Sequence, residues 1–198
     1  MARPVARRGE GRPRVLDAAL RLFAEHGVSG TSLHMIADEL GVTKAAVYYQ
    51  FQTKEALVRA VLEPAFRRMA ELVATAEATP SPAEQVDTTL VGLVDLVVDH
   101  RRVAAALRGD PAAGHVADSL ESLHTLVTRL VRLLSGADPT TARRVAASMV
   151  VGGLMLSGVD PQLADLDDET LRRELLRFGR RALAAADGFH IAGPLRRD

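Results

Sequence analysis

Between Lys44 and Gln50 the chain reads KAAVYYQ: an ammonium, two phenols, a carboxamide and two bare methyl groups, with no carboxylate. A short helix with that inventory suits the floor of a nucleic-acid groove. Lys44, at its start, offers a cation to a guanine edge or a phosphate. Ala45 and Ala46 are small enough for close approach and present methyls to thymine. Tyr48 and Tyr49 offer hydroxyls to phosphates, contacts that position a helix without reading sequence. Gln50 can bond adenine or phosphate. Thr31, Ser32 and Lys54 flank this segment and are expected to grip phosphates on either side. Plainer roles stand beside these: a core aromatic for Tyr48, solvated cations for Lys44 and Lys54.

Other chemistry finds little support. The chain has no Gly-x-Ser-x-Gly elbow, no Gly-x4-Gly-Lys loop and no His-Glu-x-x-His motif. It has no cysteine, which excludes disulfides, iron–sulfur clusters and thiol catalysis. His115 and His124 are nine residues apart, about 180° around a helix, and do not share a metal there. We therefore expect no catalytic residue, no cofactor and no metal; the chain does not read as an enzyme.

The elements that must hold this helix are legible on both sides. Apolar residues recur at Val15, Leu16, Ala19, Leu22 and Phe23 after Pro13, a helical stripe that Gly27 closes. Thr31 and Ser32 offer caps for a second stripe at Leu33, Ile36, Ala37 and Leu40, and Gly41 stops it. Thr43 caps the third helix, Lys44 to Phe51, with Val47 and Phe51 inward; Thr53 caps a fourth. Ala37, Gly41 and Val47 supply the small crossing residue, the turn residue and the apolar anchor of a helix-turn-helix. Pro64, within the fourth stripe, is expected to kink or divide it.

Residues 15–62 resemble the N-terminal domain of the TetR (tetracycline-repressor-like) family. The resemblance rests on Ala19, Phe23, Gly27, Thr31-Ser32, Ile36-Ala37, Gly41-Val42, Val47-Tyr48-Tyr49, Phe51 and Lys54-Glu55-Ala56-Leu57. It implies DNA contacts at Thr31, Ser32, Lys44, Ala45, Ala46, Tyr48, Tyr49 and Lys54. Gln50 departs from the histidine that the family often has after the paired tyrosines. The resemblance also implies a homodimer paired through its last two helices, a palindromic operator and release by a small molecule.

The Thr79-Pro80-Ser81-Pro82 stretch is the clearest break. Beyond it we expect helices at about 83–100, 101–108, 112–135, 139–157 and 168–186, separated by Gly-Asp-Pro and similar turns. Asp138 before Pro139 reads as an N-cap with proline at N1. Leu90, Val94, Val97, Leu123, Val127 and Met149 are candidates to line an apolar ligand cavity, or to be plain core. Gly152, Gly153, Leu171, Leu175 and Phe178 are candidates for a dimer interface, or again for core. Dimerisation also follows from size, because one short reading helix buries too little surface for specific affinity.

Hydrophobic residues make up 47% of the chain and aromatics only 4%, which favours packed helices over sandwiches or barrels. No strand alternation occurs, and no apolar run is long enough to span a membrane. The basic N-terminus lacks the apolar stretch of a signal peptide, so a cytoplasmic protein is expected. Net charge is zero, but residues 1–60 hold nine Lys and Arg against six Asp and Glu, and the first fourteen alone hold five arginines against Glu10. That asymmetry places a phosphate-binding surface at the N-terminal end.

The expectation is an all-α chain of about nine helices: residues 1–60 a three-helix helix-turn-helix domain with a basic arm, residues 61–198 a larger ligand-sensing and dimerisation domain. Its partners would be operator DNA, a second copy and a small-molecule effector. A helical adaptor, or an activator answering a protein partner without an inducer, is the competing reading.

Overall fold

The structure, a computed structural model, describes residues 11–118 and 121–188. Among the described residues the fold is all helical: α1 Gly11–Gly30, α2 Leu33–Leu40, α3 Lys44–Gln50, α4 Lys54–Ala78, α5 Pro82–Leu107, α6 Pro111–Asp118, α7 Glu121–Ser135, α8 Thr141–Ser157 and α9 Asp168–Gly188. A 3-10 turn, Pro161–Leu163, precedes α9.

These helices divide into two compact units. The first holds residues up to Arg68 together with His100–Leu123; the second holds Met69–Asp99 and residues from His124 onward. The chain therefore changes unit within α4, within α5 and near the start of α7. The first unit builds its core from Phe23, Val28, Ile36, Val47, Leu57 and Val58, and adds Leu107, Ala113 and Val116 from the later segment. Side chains such as Phe23 and Ile36 each stabilise the fold by about 1.5–3 kcal/mol when fully buried.

In the second unit Leu90, Leu93, Leu130, Leu134 and Leu171 are fully or almost fully buried. Packing there is close. A Cβ placed on Gly179 of α9 would stand 2.8 Å from Leu90, and one on Gly158 would stand 2.6 Å from Val97. Arg143 is buried as well, and its guanidinium ties the end of α7 to α9. Its Nε donates to the Leu134 carbonyl at 3.1 Å and its Nη1 to the Leu183 carbonyl at 3.0 Å, with Asp187 at 2.7 Å as counter-ion. The Leu134 carbonyl belongs to the last turn of α7, where intrahelical donors run out.

Several element boundaries differ from expectation. Helix α1 begins at Gly11, with Pro13 in its first turn, where a missing N–H costs nothing. It resumes after Gly27 rather than ending there. Pro64 lies within one unbroken α4. The expected break near residue 100 is absent because His100-Arg101-Arg102-Val103 contains neither glycine nor proline, and α5 runs through. Helix α8 starts two residues later than expected: Thr140, not Asp138, is the cap, accepting the Arg143 N–H at 3.1 Å. The single helix expected over 112–135 is seen as α6 and α7; residues 119–120 between them lie outside the described set.

Candidate nucleic-acid interface

Seven residues cannot sustain a helix alone in water, so α3 needs help from its surroundings. Thr43 caps it, its Oγ1 accepting the Ala46 N–H at 3.3 Å. At the other end the Phe51 N–H reaches the Val47 carbonyl at 2.9 Å. Val47 and Phe51 are buried and pin the inner face. Helix α2 is held the same way: Ser32 caps it by accepting the Met35 N–H at 3.2 Å. Gly41 ends it in the left-handed conformation, φ 62° and ψ 32°, which a residue with a Cβ adopts only under strain. Ala37 is buried on α2, and its carbonyl accepts the Val42 N–H at 3.0 Å. The small crossing residue, the turn glycine and the apolar anchor all occupy their expected places.

The opposite face of α3 is open. Lys44, Ala45, Ala46 and Tyr48 are exposed, and Tyr49 is 87% exposed. A tyrosine that far out contributes nothing to the core. Tyr48 is about half exposed, which sets aside its reading as a core aromatic. Gln50 is half-buried where α3 meets the start of α1.

Thr31 and Lys54 are placed differently. Thr31 is only 2% exposed. Its hydroxyl lies 2.8 Å from the Gly27 carbonyl and 3.1 Å from that of Leu22, which closes the turn after α1 from within. The Lys54 ammonium donates to three carbonyls, Val28 at 2.9 Å and Ser29 and Thr31 at 3.2 Å. That turn contains Gly27 at φ 72°, so a kinked segment with few helical bonds is tied by two side chains.

Two residues not named individually as site residues also bear on the unit. Asp110, before Pro111, caps α6 by accepting the Ala112 N–H at 2.9 Å. It also accepts the Ser29 N–H at 2.7 Å and the Ser29 hydroxyl at 3.1 Å. Burial pushes its carboxyl up, but the N–H and hydroxyl donors of Ser29 and the N–H groups of Ala112 and Ala113 outweigh it and hold the pKa below its ordinary value. The Asp-Pro pair, which reads from sequence as a turn, is the available signal; its partner is not readable. The second is Arg12, whose guanidinium sits 4.5 Å over the Phe51 ring.

The residues considered for ligand and dimer contacts are scattered. Leu90 and Val94 are buried in the second unit; Val97 and Val127 are half-buried there, whereas Leu123 belongs to the first. Met149 is 71% exposed, and Gly152 and Gly153 on the same helix and Phe178 on α9 are exposed too. Leu175 is half-buried, and Leu171 is core. A cavity of about 300 Å³ opens between α8 and α9, lined by Met149, Gly153, Leu171, Leu175 and Phe178 among others. Four of the five dimer candidates thus meet one ligand candidate at a single surface. Among the described residues no three His, Asp or Glu side chains are placed to hold a metal.

Known proteins share this arrangement. Residues 15–61 match the model for bacterial regulatory proteins of the tetR family. An HTH-type transcriptional regulator of Mycobacterium tuberculosis is 30% identical over 153 residues, 74% of this chain and 76% of its own length. The chain belongs to the TetR family. As a member it is a DNA-binding transcriptional regulator, and α2–α3 is its helix-turn-helix. The probable acrEF/envCD operon repressor of Escherichia coli is 26% identical over 75% of this chain and 66% of its own. A transcriptional regulator from Aquifex aeolicus has the same TetR-family fold, with a TM-score of 0.66 at 17% identity, covering 86% of this chain and 98% of the other. No helix among the described residues of this TetR-family chain is long and apolar enough to cross a membrane.

Proposed function

We propose that this regulator is a repressor that binds a palindromic operator as a homodimer and leaves it when a small apolar or amphipathic molecule occupies its C-terminal domain. Residues 1–60 serve as the DNA-binding domain and residues 61–198 as the ligand-binding and dimerisation domain, acting in the cytoplasm, where the chromosome lies. The observation that carries the reading is the outer face of α3: Lys44, Ala45, Ala46, Tyr48 and Tyr49 exposed together, with no acid among them, on a helix capped and pinned from behind. Ser32 and Gln50 border that face. Thr31 and Lys54 act from behind it, holding the turn that presents α2.

Dimerisation draws support from the exposed apolar side chains of α8 and α9, Met149, Leu156 and Phe178, with Gly152 and Gly153 open for close backbone approach. Contiguous apolar surface of this kind marks an interaction site. For the ligand, Leu90 and Val97 pack closely against Gly179 and Gly158, so a molecule entering there has to displace core side chains. Release is then a population shift whose extent equals the ligand's preference between the two states. The repressor reading accords with the operon repressor among the relatives, and the apolar ligand with stearoyl-CoA bound by the similarly folded Bacillus subtilis FadR.

The test is fluorescence anisotropy on labelled duplexes from beside the chain's own gene, against random DNA, across a salt series. Saturable, sequence-selective binding that weakens with salt is expected. Equal affinity for every fragment, including those selected from a random pool, would sink the regulator reading.

A further inference from the structure

We infer that the groove between α7 and α8 binds an anionic amphiphile, a small molecule with a carboxylate or phosphate head and an apolar body. The inference deepens the ligand reading above, on which it rests, by naming a site and a ligand class. The groove encloses about 670 Å³, a size that small-molecule sites commonly have. Each helix brings the same three residue types to it within two turns: Thr128, Arg132 and Ser135 from α7, and Thr141, Arg144 and Ser148 from α8. Val131 and Met149 add apolar wall, and among the described residues no carboxylate lines it. In a chain with 25 acidic and 25 basic residues, that lining is unevenly charged.

Arg144 decides the sign. It stands at the first turn of α8, where the partial positive charge of the helix end repels a cation, and that turn holds no acid. It is exposed, and among the described residues no carboxylate pairs with it. Arg132 shares Glu77 with Arg129, its Nη2 2.8 Å from Glu77 Oε1, so two guanidiniums meet one carboxylate. The surplus at the groove is positive. An anion there offsets it, accepts from guanidinium donors and is favoured by the same helix end that disfavours Arg144. The hydroxyls of Thr128 and Ser135 are donated to α7 carbonyls, His124 at 2.9 Å and Val131 at 2.7 Å. Thr141 and Ser148, both exposed on α8, are left to donate to a head group. Met149, 71% exposed, gives the apolar body a flexible surface to cover.

The test is isothermal titration calorimetry of the full-length chain, without DNA, against probes that share one apolar chain. These are n-octyl phosphate, n-octanol and n-octyltrimethylammonium, each below its critical micelle concentration. Octyl phosphate should bind about tenfold more tightly than octanol, and the ammonium should be excluded by like charge. Arg144→Ala should remove the preference for the phosphate and leave octanol binding as it was, with Arg144→Lys recovering part of it. Arg144 is exposed, so its replacement should keep the helical fold, which circular dichroism checks. Octyl phosphate bound no more tightly than octanol, or equally by wild type and Arg144→Ala, would overturn the inference. So would a wild-type dimer that takes no probe because a second copy fills the groove. Capture by phosphatidylglycerol vesicles without binding of octyl phosphate would overturn it too, in favour of a membrane surface. A compound that lowers operator affinity equally in wild type and Arg144→Ala would overturn this site and leave the release reading standing.

Discussion

Asp110 accepts the backbone N–H of Ser29 at 2.7 Å, across 81 residues of chain. The bond ties the start of α6 to the turn that follows Gly27, and the same carboxylate caps α6. One side chain therefore satisfies backbone donors on two segments of the first unit that neither segment satisfies alone.

Asp110→Ala should destabilise the protein by about 1–2 kcal/mol, the loss of a helix cap together with a tertiary bond, with Asp110→Asn losing less. The carboxyl's pKa is lowered on folding from its ordinary 3.8. Its contribution is therefore complete above about pH 3.8 and disappears as pH falls through the lower folded value. Chemical denaturation of wild type and Asp110→Asn from pH 7 down to 3 checks this: the gap between them should be constant at first and narrow only at the acid end.

Lys54 tests whether a cation near DNA acts on DNA. With its ammonium shared among three carbonyls, Lys54→Met should lower stability by about 1–3 kcal/mol and weaken DNA binding without changing its salt dependence. A slope shallower by about 0.9 would instead mean that Lys54 holds a phosphate.

On α3 the two kinds of contact separate. Tyr49→Phe removes one hydroxyl from an exposed ring and should weaken binding by a similar factor on every sequence. Lys44→Ala should also change which base is preferred at one position, by about 1–3 kcal/mol. Anisotropy against a panel of single-base variants distinguishes them, and unchanged binding in both would place a different helix in the groove.

Met149→Asp with Phe178→Asp places two carboxylates on the open α8 and α9 face. Sedimentation should show a dimer converted to a helical monomer, with DNA affinity falling accordingly. A dimer that survives both substitutions would move the interface elsewhere.

What is legible in the sequence depends on the distance between partners. Ser32, Gly41 and Thr43 act on residues three or four away, and their types alone announce caps and a turn. Lys54 and Asp110 carry equally ordinary types, but their tertiary partners lie 23 to 81 residues off. Nothing local separates a lysine that reaches a phosphate from one that reaches three carbonyls. The apolar stripes of the second unit fail for a related reason. Leu90 and Met149 look alike in a periodic pattern, yet one is pressed against Gly179 and the other faces outward. The break expected near residue 100 has no glycine or proline behind it, and α5 runs through.

Helix α3 divides its labour unusually cleanly. Val47 and Phe51 fasten it from within and Thr43 caps it, whereas Lys44, Ala45, Ala46 and Tyr49 owe the fold little beyond a willingness to be helical. Exchanging the exposed Lys44, Ala45, Ala46 and Tyr49 disturbs the scaffold little, so a lineage or a designer can alter that face one residue at a time without crossing a valley of unfolded intermediates. The same division makes the helix useless as a detached peptide: cut away from Ala37 and Phe51, it keeps its vocabulary and loses its shape.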